Sequence, residues 1–278
     1  MPINTITTDK LARLIGTPKC PVLLDVRPDE DFAADPTLIP GALRRASSGR
    51  PDWSPEIARP GSVVICRHGS QLSHGIAAWL RGLGIAAEVL EGGADAWREA
   101  GLPRLCADRL PPRDEQGRTA WVTRERPKVD RIACPWLIRR FVDPLARFMF
   151  VAPAAVLAVA EGFRAAPFDV TGAFFGHRDD KCTFDVMLEE FGLTTGPLLR
   201  LASIVRGADT ARYDLAPESA GLLAVSLGLS RMYADDLAQL EAGMGIYDAL
   251  YRWCRDASDE THHHSLPRVE ARRTARAE

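Results

Sequence analysis

Two kinds of hydrophobic pattern divide the chain. In the first hundred residues, Pro21–Val26 (PVLLDV) and Ser62–Ile65 (SVVI) are almost unbroken apolar runs. Such runs belong to strands buried on both faces. Ala86–Leu90 reads as a third strand. Between the runs, apolar residues recur at helical spacing. Asp9–Ile15 places Leu11, Leu14 and Ile15 on one face, with Thr8 as its cap. Gln71–Leu83 is a helix stopped by Gly82 and Gly84, and Ala94–Ala100 is a short one. Strand and helix in this alternation predict an α/β domain: a parallel sheet with helices on both faces.

After residue 120 the pattern becomes mainly helical, with a few short strands. Ile132–Val142 is predicted as a helix with Pro135 in its first turn. Ala154–Phe163, Phe184–Phe191, Leu198–Arg206 and Glu218–Leu229 are further helices, and Arg147–Val151 and Phe168–Val170 short strands. Leu237, Leu240, Met244, Tyr247, Tyr251 and Cys254 recur at spacings of three and four, which predicts a last helix with a core stripe. Between the two patterns stands PPRDEQGR (111–118), whose paired prolines bar a helix. The expected organisation is a first domain over 1–109, a linker over 110–120, a second domain over 121–262, and a disordered tail over 263–278. No internal repeat is visible.

At 278 residues the chain has the length of two ordinary domains. Hydrophobic residues make up 46%, which excludes a wholly disordered chain. Lys and Arg number 35 against 37 Asp and Glu, and residues 1–109 are balanced in charge. Nucleic acid is therefore not an expected partner. The stretch 113–140 is modestly basic, and its plain reading is a solvated, salt-bridged face. No apolar window reaches the roughly 18 residues of a membrane span. The first residues lack the pattern of a secretory leader. The expectation is a soluble, cytoplasmic protein with no membrane partner. Its six cysteines form no CxxC pair and are expected as free thiols.

The densest chemistry in the first half is Cys66-Arg67-His68-Gly69-Ser70-Gln71-Leu72-Ser73. A cysteine closes a buried strand, and a short loop runs directly into a helix. Loop N–H groups and a helix N-terminus make a cradle for an anion. The same field favours thiolate over thiol and lowers a cysteine pKa into the range of about 3.5–7.5. Cys66 is thus the candidate nucleophile, with Arg67, His68, Gly69, Ser70 and Gln71 as the loop that binds an oxyanion.

Landmarks on either side extend the pattern: Leu24-Asp25-Val26-Arg27, Ile39-Pro40-Gly41-Ala42, Glu91-Gly92-Gly93 with Ala96-Trp97, and Ala100-Gly101-Leu102-Pro103. In this order they resemble a single rhodanese domain over about residues 5–105. The resemblance implies a cysteine persulfide on Cys66, a small-molecule sulfur donor and a thiol acceptor. The loop departs from the common C-R-x-G-x-R-S form, because Gln71 stands where the second Arg belongs. Counted forward to Ala77-Ala78, the loop is one residue longer, as in related phosphatases and arsenate reductases. Those close with C-x5-R, and this chain has Leu72 there, so phosphatase chemistry is disfavoured. Arg67 and His68 are expected to supply part of the missing positive charge.

In the second half, His177 and Cys182 lie on one loop before a helix, in GHRDDKCTFD (176–185). Imidazole and thiolate suit a transition metal. This region is similar to the C-terminal domain of the ChrB chromate-resistance family. The similarity is carried by WVTRERPKVDRIACPWLIRRFVDP (121–144), PFDV (167–170), GHRDDKCTFD, IVRGADT (204–210), DLAPESAGLLAVSLGLS (214–230) and YDALYRWCRDA (247–257). Phe174, Asp179 and His263-His264 depart from the family pattern. The resemblance singles out His177, Cys182 and His262 as metal ligands, accompanied by Asp130, Asp185 and Glu260. It also implies chromate or another tetrahedral oxyanion as a partner. Arg131, Arg139, Arg140 and Arg206, with Arg178, are the candidates to bind it. Two function classes follow: a sulfurtransferase using Cys66 that serves chromate resistance, or a sensor binding chromate or a metal without turnover. The absence of a DNA-binding pattern favours the enzyme.

Overall fold

The computed structural model describes residues 4–47, 51, 53 and 61–260. In the first half, β1 (Thr5–Ile6), α1 (Thr8–Leu14), β2 (Val22–Asp25), α2 (Asp29–Ala34), β3 (Thr37–Leu38) and β4 (Ala42–Arg44) follow one another. Next come β5 (Ser62–Ile65), α3 (Gln71–Gly82), β6 (Ala87–Leu90), α4 (Gly93–Glu99) and β7 (Leu105–Cys106). One sheet runs in the order β1-β6-β5-β2-β4 with every neighbouring pair parallel. β3 and β7 form a small antiparallel pair.

Side chains of the central strands alternate between two cores, as pleating requires. Leu23, Val63 and Ile65 enter one, where Leu11, Ile15 and Trp97 bring α1 and α4. Leu24, Val64 and Cys66 enter the other, which α3 closes with Ile76, Ala77 and Leu80. Both faces are covered, and the unbroken apolar runs follow from that. The cap of α1 is Thr7 rather than Thr8: its side chain accepts from the Lys10 N–H at 3.3 Å.

The end of β2 is fixed by a buried ion pair. Arg27 Nε lies 3.0 Å from both Asp25 carboxylate oxygens. The same guanidinium donates to the Asp35 carbonyl at 3.0 Å and the Thr37 carbonyl at 2.6 Å. Both side chains are almost wholly buried, and one cation thereby ties β2 to the approach of β3.

The second half comprises β8 (Ala120–Arg124), α5 (Asp130–Leu137), β9 (Arg147–Val151), α6 (Val156–Phe163) and β10 (Ala166–Pro167). It continues through α7 (Thr183–Glu190), α8 (Gly196–Asp209), α9 (Ser219–Met232) and α10 (Asp236–Asp256). Its three strands are parallel in the order β10-β8-β9. Helix α5 continues into a wider turn over Ile138–Val142, closed by the Asp143 N–H on the Ile138 carbonyl at 2.7 Å.

Several expectations are corrected here. Pro135 lies inside α5, because the helix starts at Asp130. The second short strand ends at Pro167, and Phe168 makes only an isolated bridge to Phe175. Leu237 is 48% exposed, since it sits in the first turn of α10; Leu240, Met244, Tyr247, Tyr251 and Cys254 are buried as the stripe predicts. The stretch 113–140 is not simply a solvated face: Trp121, Val122 and Thr123 of β8 are buried, as are Asp130 and Ile132–Ile138 of the α5 segment. The proposed linker carries a short turn, with Arg113 bridged to Thr119 and Asp114 accepting from the Arg118 N–H at 2.8 Å. The tail and His262 lie outside the described residues. Among the described residues no helix is long and apolar enough to cross a membrane.

The two halves meet on apolar ground. Gly41 N–H donates to the Phe141 carbonyl at 2.5 Å. The Phe141 ring rests on Gly16, where φ is +77° and a Cβ would stand 2.3 Å from Cζ. Leu11 and Trp97 of the first half share one continuous core with Trp121 and Trp136 of the second. A fragment cut at residue 109 exposes that face to water. We expect it to unfold cooperatively, but at lower denaturant concentration than the same region of the full chain. Equal midpoints in parallel urea titrations would show that the seam adds nothing. Replacing Asp25 by Ala leaves Arg27 buried without its counter-charge and should cost about 3–5 kcal/mol in the same titration.

Candidate functional site

Two constellations stand out, one in each half. The first is the loop after β5. In the parallel sheet the end of this strand delivers Cys66 to the mouth of α3, on the face where such folds bind ligands. The Ser70 N–H donates to Cys66 Sγ at 3.2 Å, and the Ser73 hydroxyl lies 3.1 Å from it. The Ser70 hydroxyl is farther, at 3.9 Å. Burial pushes the thiol pKa up, but the hydrogen bonds from Ser73 and Ser70 outweigh it, and the net shift is downward. The Ser73 hydroxyl also lies 3.0 Å from the Ser70 carbonyl. It has one proton, which turns to sulfur when sulfur carries charge. The sequence reading quoted Ser73 without giving it a role. Its signal was its place, one helical turn into α3 on the side of the cysteine.

Backbone contacts hold the loop. The Cys66 and Arg67 carbonyls accept from the Ala94 and Asp95 N–H groups at 2.9 and 3.0 Å. The first turn of α4 is thus satisfied by the loop it braces. The approach requires glycine twice. A Cβ on Gly69 would fall 2.6 Å from the Leu90 carbonyl oxygen, and one on Gly93 would fall 2.2 Å from that of Cys66. Both residues also have positive φ.

The two basic side chains of the loop are held by acids. His68 Nδ1 lies 2.9 Å from Asp95 Oδ2, and Arg67 Nε is 3.4 Å from the same oxygen. Arg67 also reaches Asp31 at 3.4 Å. Both side chains are therefore turned towards carboxylates rather than into the cradle. Gln71 is exposed at the first position of α3.

The second constellation gathers residues far apart in sequence. His177 Nε2 lies 3.2 Å from Asp209 Oδ2, 3.4 Å from Asp169 Oδ1 and 3.6 Å from Asp130 Oδ2. Asp130 opens α5, Asp209 closes α8, and Asp169 follows β10. Asp169 Oδ2 is held by Arg124 at 3.0 Å and by Arg131 Nε at 3.2 Å. Bonds to Asp169 and Asp209 push the His177 pKa up to about 10. Complete burial, with the charges of Asp209 and Asp169 beside it, pushes Asp130 well above the usual carboxylate range. Burial raises Asp169, but its partners His177, Arg124 and Arg131 outweigh this and hold it low. An open cleft of about 630 Å³ reaches this group, lined among others by Arg124, Asp169, Thr171 and His177.

The other sequence candidates fall elsewhere. The Cys182 thiol donates to Asp185 Oδ2 at 3.2 Å, and this residue caps α7. Burial pushes the thiol pKa far up. Arg206 pairs with Asp185 at 3.3 Å. Arg139 pairs with Glu241 at 2.5 Å, Arg140 with Asp248 at 2.8 Å, and Arg178 with Glu190. Among the described residues, the one group of three donors within 4.8 Å of one another is Asp130, His177 and Asp209. The sequence reading named His177 and Asp130. Asp169 and Asp209 stood in the quoted strings PFDV and IVRGADT without a role.

Known proteins agree with this division. The family model of the rhodanese-like domain matches residues 7–100, and that of the ChrB C-terminal domain matches residues 121–254. The chain therefore carries a rhodanese-like domain followed by a ChrB C-terminal domain. Protein ChrB of Cupriavidus metallidurans is 37% identical over 160 residues, which cover 54% of this chain and 46% of that protein. The match thus spans about half the length of that relative. Among solved structures, a rhodanese-related protein from Thermoplasma volcanium is 25% identical, with a TM-score of 0.32, over 37% of this chain and 98% of its own. A thiosulfate sulfurtransferase from Pseudomonas aeruginosa is 26% identical, with a TM-score of 0.27, over 36% of this chain and 19% of its own.

The cradle makes a prediction about selectivity. Burial pushes the Cys20 thiol up to about 12, and the Asp108 carboxylate raises that of exposed Cys106. Limiting iodoacetamide near neutral pH should therefore modify Cys66 before either, although Cys66 is the most buried of the three. Replacing Ser73 by Ala should shift the inflection of the pH–rate profile upward and slow labelling at neutral pH. Peptide mapping by mass spectrometry checks both. Earlier labelling of Cys106 would show that access outweighs thiolate character.

Proposed function

We propose that the first domain is a sulfurtransferase carrying sulfane sulfur on Cys66, and that the chain serves chromate resistance through its second domain. The observation that carries this reading is the cradle: a thiol at the end of a parallel strand with the Ser70 N–H at 3.2 Å and the Ser73 hydroxyl at 3.1 Å. Those donors favour an anionic sulfur in the resting enzyme and equally in the loaded one, because a persulfide is also an anion.

The chemistry proceeds in two displacements. The Cys66 thiolate attacks the outer sulfur of a donor such as thiosulfate. A sulfur–sulfur bond forms on Cys66 as the donor's own breaks, and sulfite leaves with the electron pair. An acceptor thiolate, or cyanide in an assay, then attacks the outer sulfur and Cys66 leaves as thiolate. Neither step needs an external oxidant or reductant. The ChrB C-terminal domain in the same chain ties this sulfur chemistry to chromate, a tetrahedral oxyanion. The cytoplasm, rich in small thiols, is the compartment that would supply the acceptor.

The test is thiosulfate-to-cyanide transfer by the full chain. Turnover should be measurable and should fall to background in Cys66→Ser. Incubation with thiosulfate alone should add the mass of one sulfur atom to the peptide containing Cys66. Gln71→Arg restores the guanidinium of the common loop and should raise kcat/KM for thiosulfate. A wild-type protein that neither turns over nor accepts sulfur on Cys66 would overturn the reading.

A further inference from the structure

Among the described residues, the fully buried carboxylates Asp25 and Asp143 have both oxygens satisfied, although half-buried Asp236 has one oxygen without a partner. Both Asp25 oxygens accept from Arg27. Asp143 Oδ2 accepts from the Thr119 N–H and hydroxyl at 2.6 and 2.7 Å, and its Oδ1 accepts from the Leu145 N–H at 3.0 Å. Asp130 breaks this pattern. It is 0% exposed, yet only its Oδ2 has a hydrogen bond, from the Thr183 N–H at 2.7 Å. Its Oδ1 is buried and has no partner. A carboxylate oxygen left this way costs free energy unless something else completes it.

The backbone holds Asp130 there against its own preference. Val129, immediately before it, has φ +37°, which a β-branched residue rarely adopts. Its N–H donates to Ser226 Oγ at 2.9 Å, and its carbonyl accepts from the Tyr247 hydroxyl at 2.9 Å. Two other helices therefore clamp the strained residue. Strain maintained from several sides marks a position where geometry is required.

The distances indicate what is required. Two donors each about 2.1 Å from one ion lie roughly 3.0–3.4 Å from each other. His177 Nε2 and Asp209 Oδ2 are 3.2 Å apart, and His177 Nε2 and Asp130 Oδ2 are 3.6 Å apart. The donors come from three separate elements. Asp169 Oδ1 faces the same Nε2 at 3.4 Å, while Arg124 and Arg131 hold its other oxygen.

We propose that Asp130, His177 and Asp209 form a site for one divalent metal ion, reached from the cleft by way of His177. One imidazole with carboxylate oxygens suits a hard-to-borderline cation such as Mn²⁺, Fe²⁺ or Zn²⁺ rather than a thiophilic one. The ligand set differs from a His177–Cys182–His262 set, because Cys182 is not among the donors that lie within 4.8 Å of one another. The site is independent of the sulfur chemistry at Cys66.

Mn²⁺ is the probe, since the chain's thiols compete weakly for it. The full-length protein is titrated with Mn²⁺ while electron paramagnetic resonance follows the free aquo ion. One ion should bind per chain, and pulsed measurements should show nitrogen hyperfine coupling from one imidazole. Asp130→Asn and Asp209→Asn should each weaken binding by about tenfold or more. His177→Gln should remove the nitrogen coupling, which a purely structural role would not do. Cys182→Ser and His262→Ala should leave affinity unchanged. Asp209→Asn, at the rim, serves as the variant least able to disturb folding, and circular dichroism checks each protein. Absence of stoichiometric binding overturns the proposal. So does binding that persists in Asp209→Asn or keeps its nitrogen coupling in His177→Gln.

Discussion

Burial of nearly the whole segment Asp130–Val142, with only Arg131, Arg139 and Arg140 half-buried, is the constraint around which the molecule is arranged. A helix with so little face left for water must be enclosed by the rest of the chain. Trp136 at its middle has Phe141, Phe184, Tyr247 and Tyr251 around it, with ring centroids 5.5–6.4 Å away. Its indole N–H, which cannot be left unpaired at that depth, donates to Asp248 at 2.8 Å. Gly243 lets α10 come so close that a Cβ there would stand 2.6 Å from Ile132. One end of the segment places buried Asp130 3.6 Å from His177, which lines the cleft. The other presents Phe141 to the rhodanese-like domain. The same enclosed helix therefore positions a site and forms the seam between the halves.

The two sites handle polar groups in opposite ways. The Cys66 loop is closed upon itself: every donor aimed at sulfur belongs to the loop or to the first turn of α3, and its carbonyls are taken by α4. It is finished before any ligand arrives, as a nucleophile's surroundings should be. The His177 cluster of the second domain is assembled from separate segments and leaves a buried acceptor of Asp130 unpaired. Preorganised catalysis and ligand capture thus have distinct structural signatures in one chain.

Sequence made the first half legible because its signals are local. Apolar runs predicted β2 and β5, Ala86–Leu90 was read as a third strand where β6 lies, and the Cys66 loop was visible as strand, turn and helix within a dozen residues. The second half was legible in its helices but not in its central strand. β8 carries Arg124 at its end and sits beside Arg126 and Lys128, so charge concealed the buried Trp121, Val122 and Thr123. The site was legible only in part, for a physical reason. His177 and Asp130 stood out as residues a core does not want. Asp169, near His177 in sequence but distant from Asp130, and Asp209, distant from both, became partners only through tertiary folding. No spacing rule could report that Asp130 has an idle oxygen, or that Cys182 is engaged by its own helix.

The clasp of Asp95 on His68 and Arg67 has a consequence for the approach of charged molecules. With Arg67 turned to Asp31 and Asp95 and His68 Nδ1 held by Asp95, the pull on an anion at the sulfur comes chiefly from peptide and hydroxyl dipoles. Such fields decay over a few ångströms, well inside the Debye length of about 8 Å at physiological ionic strength. Ions in solution therefore screen the cradle little, and its discrimination is exercised on contact rather than during diffusion. Anions pass the mouth of the loop largely unsorted by charge, and only those whose outer atom fits against Ser70 and Ser73 are retained.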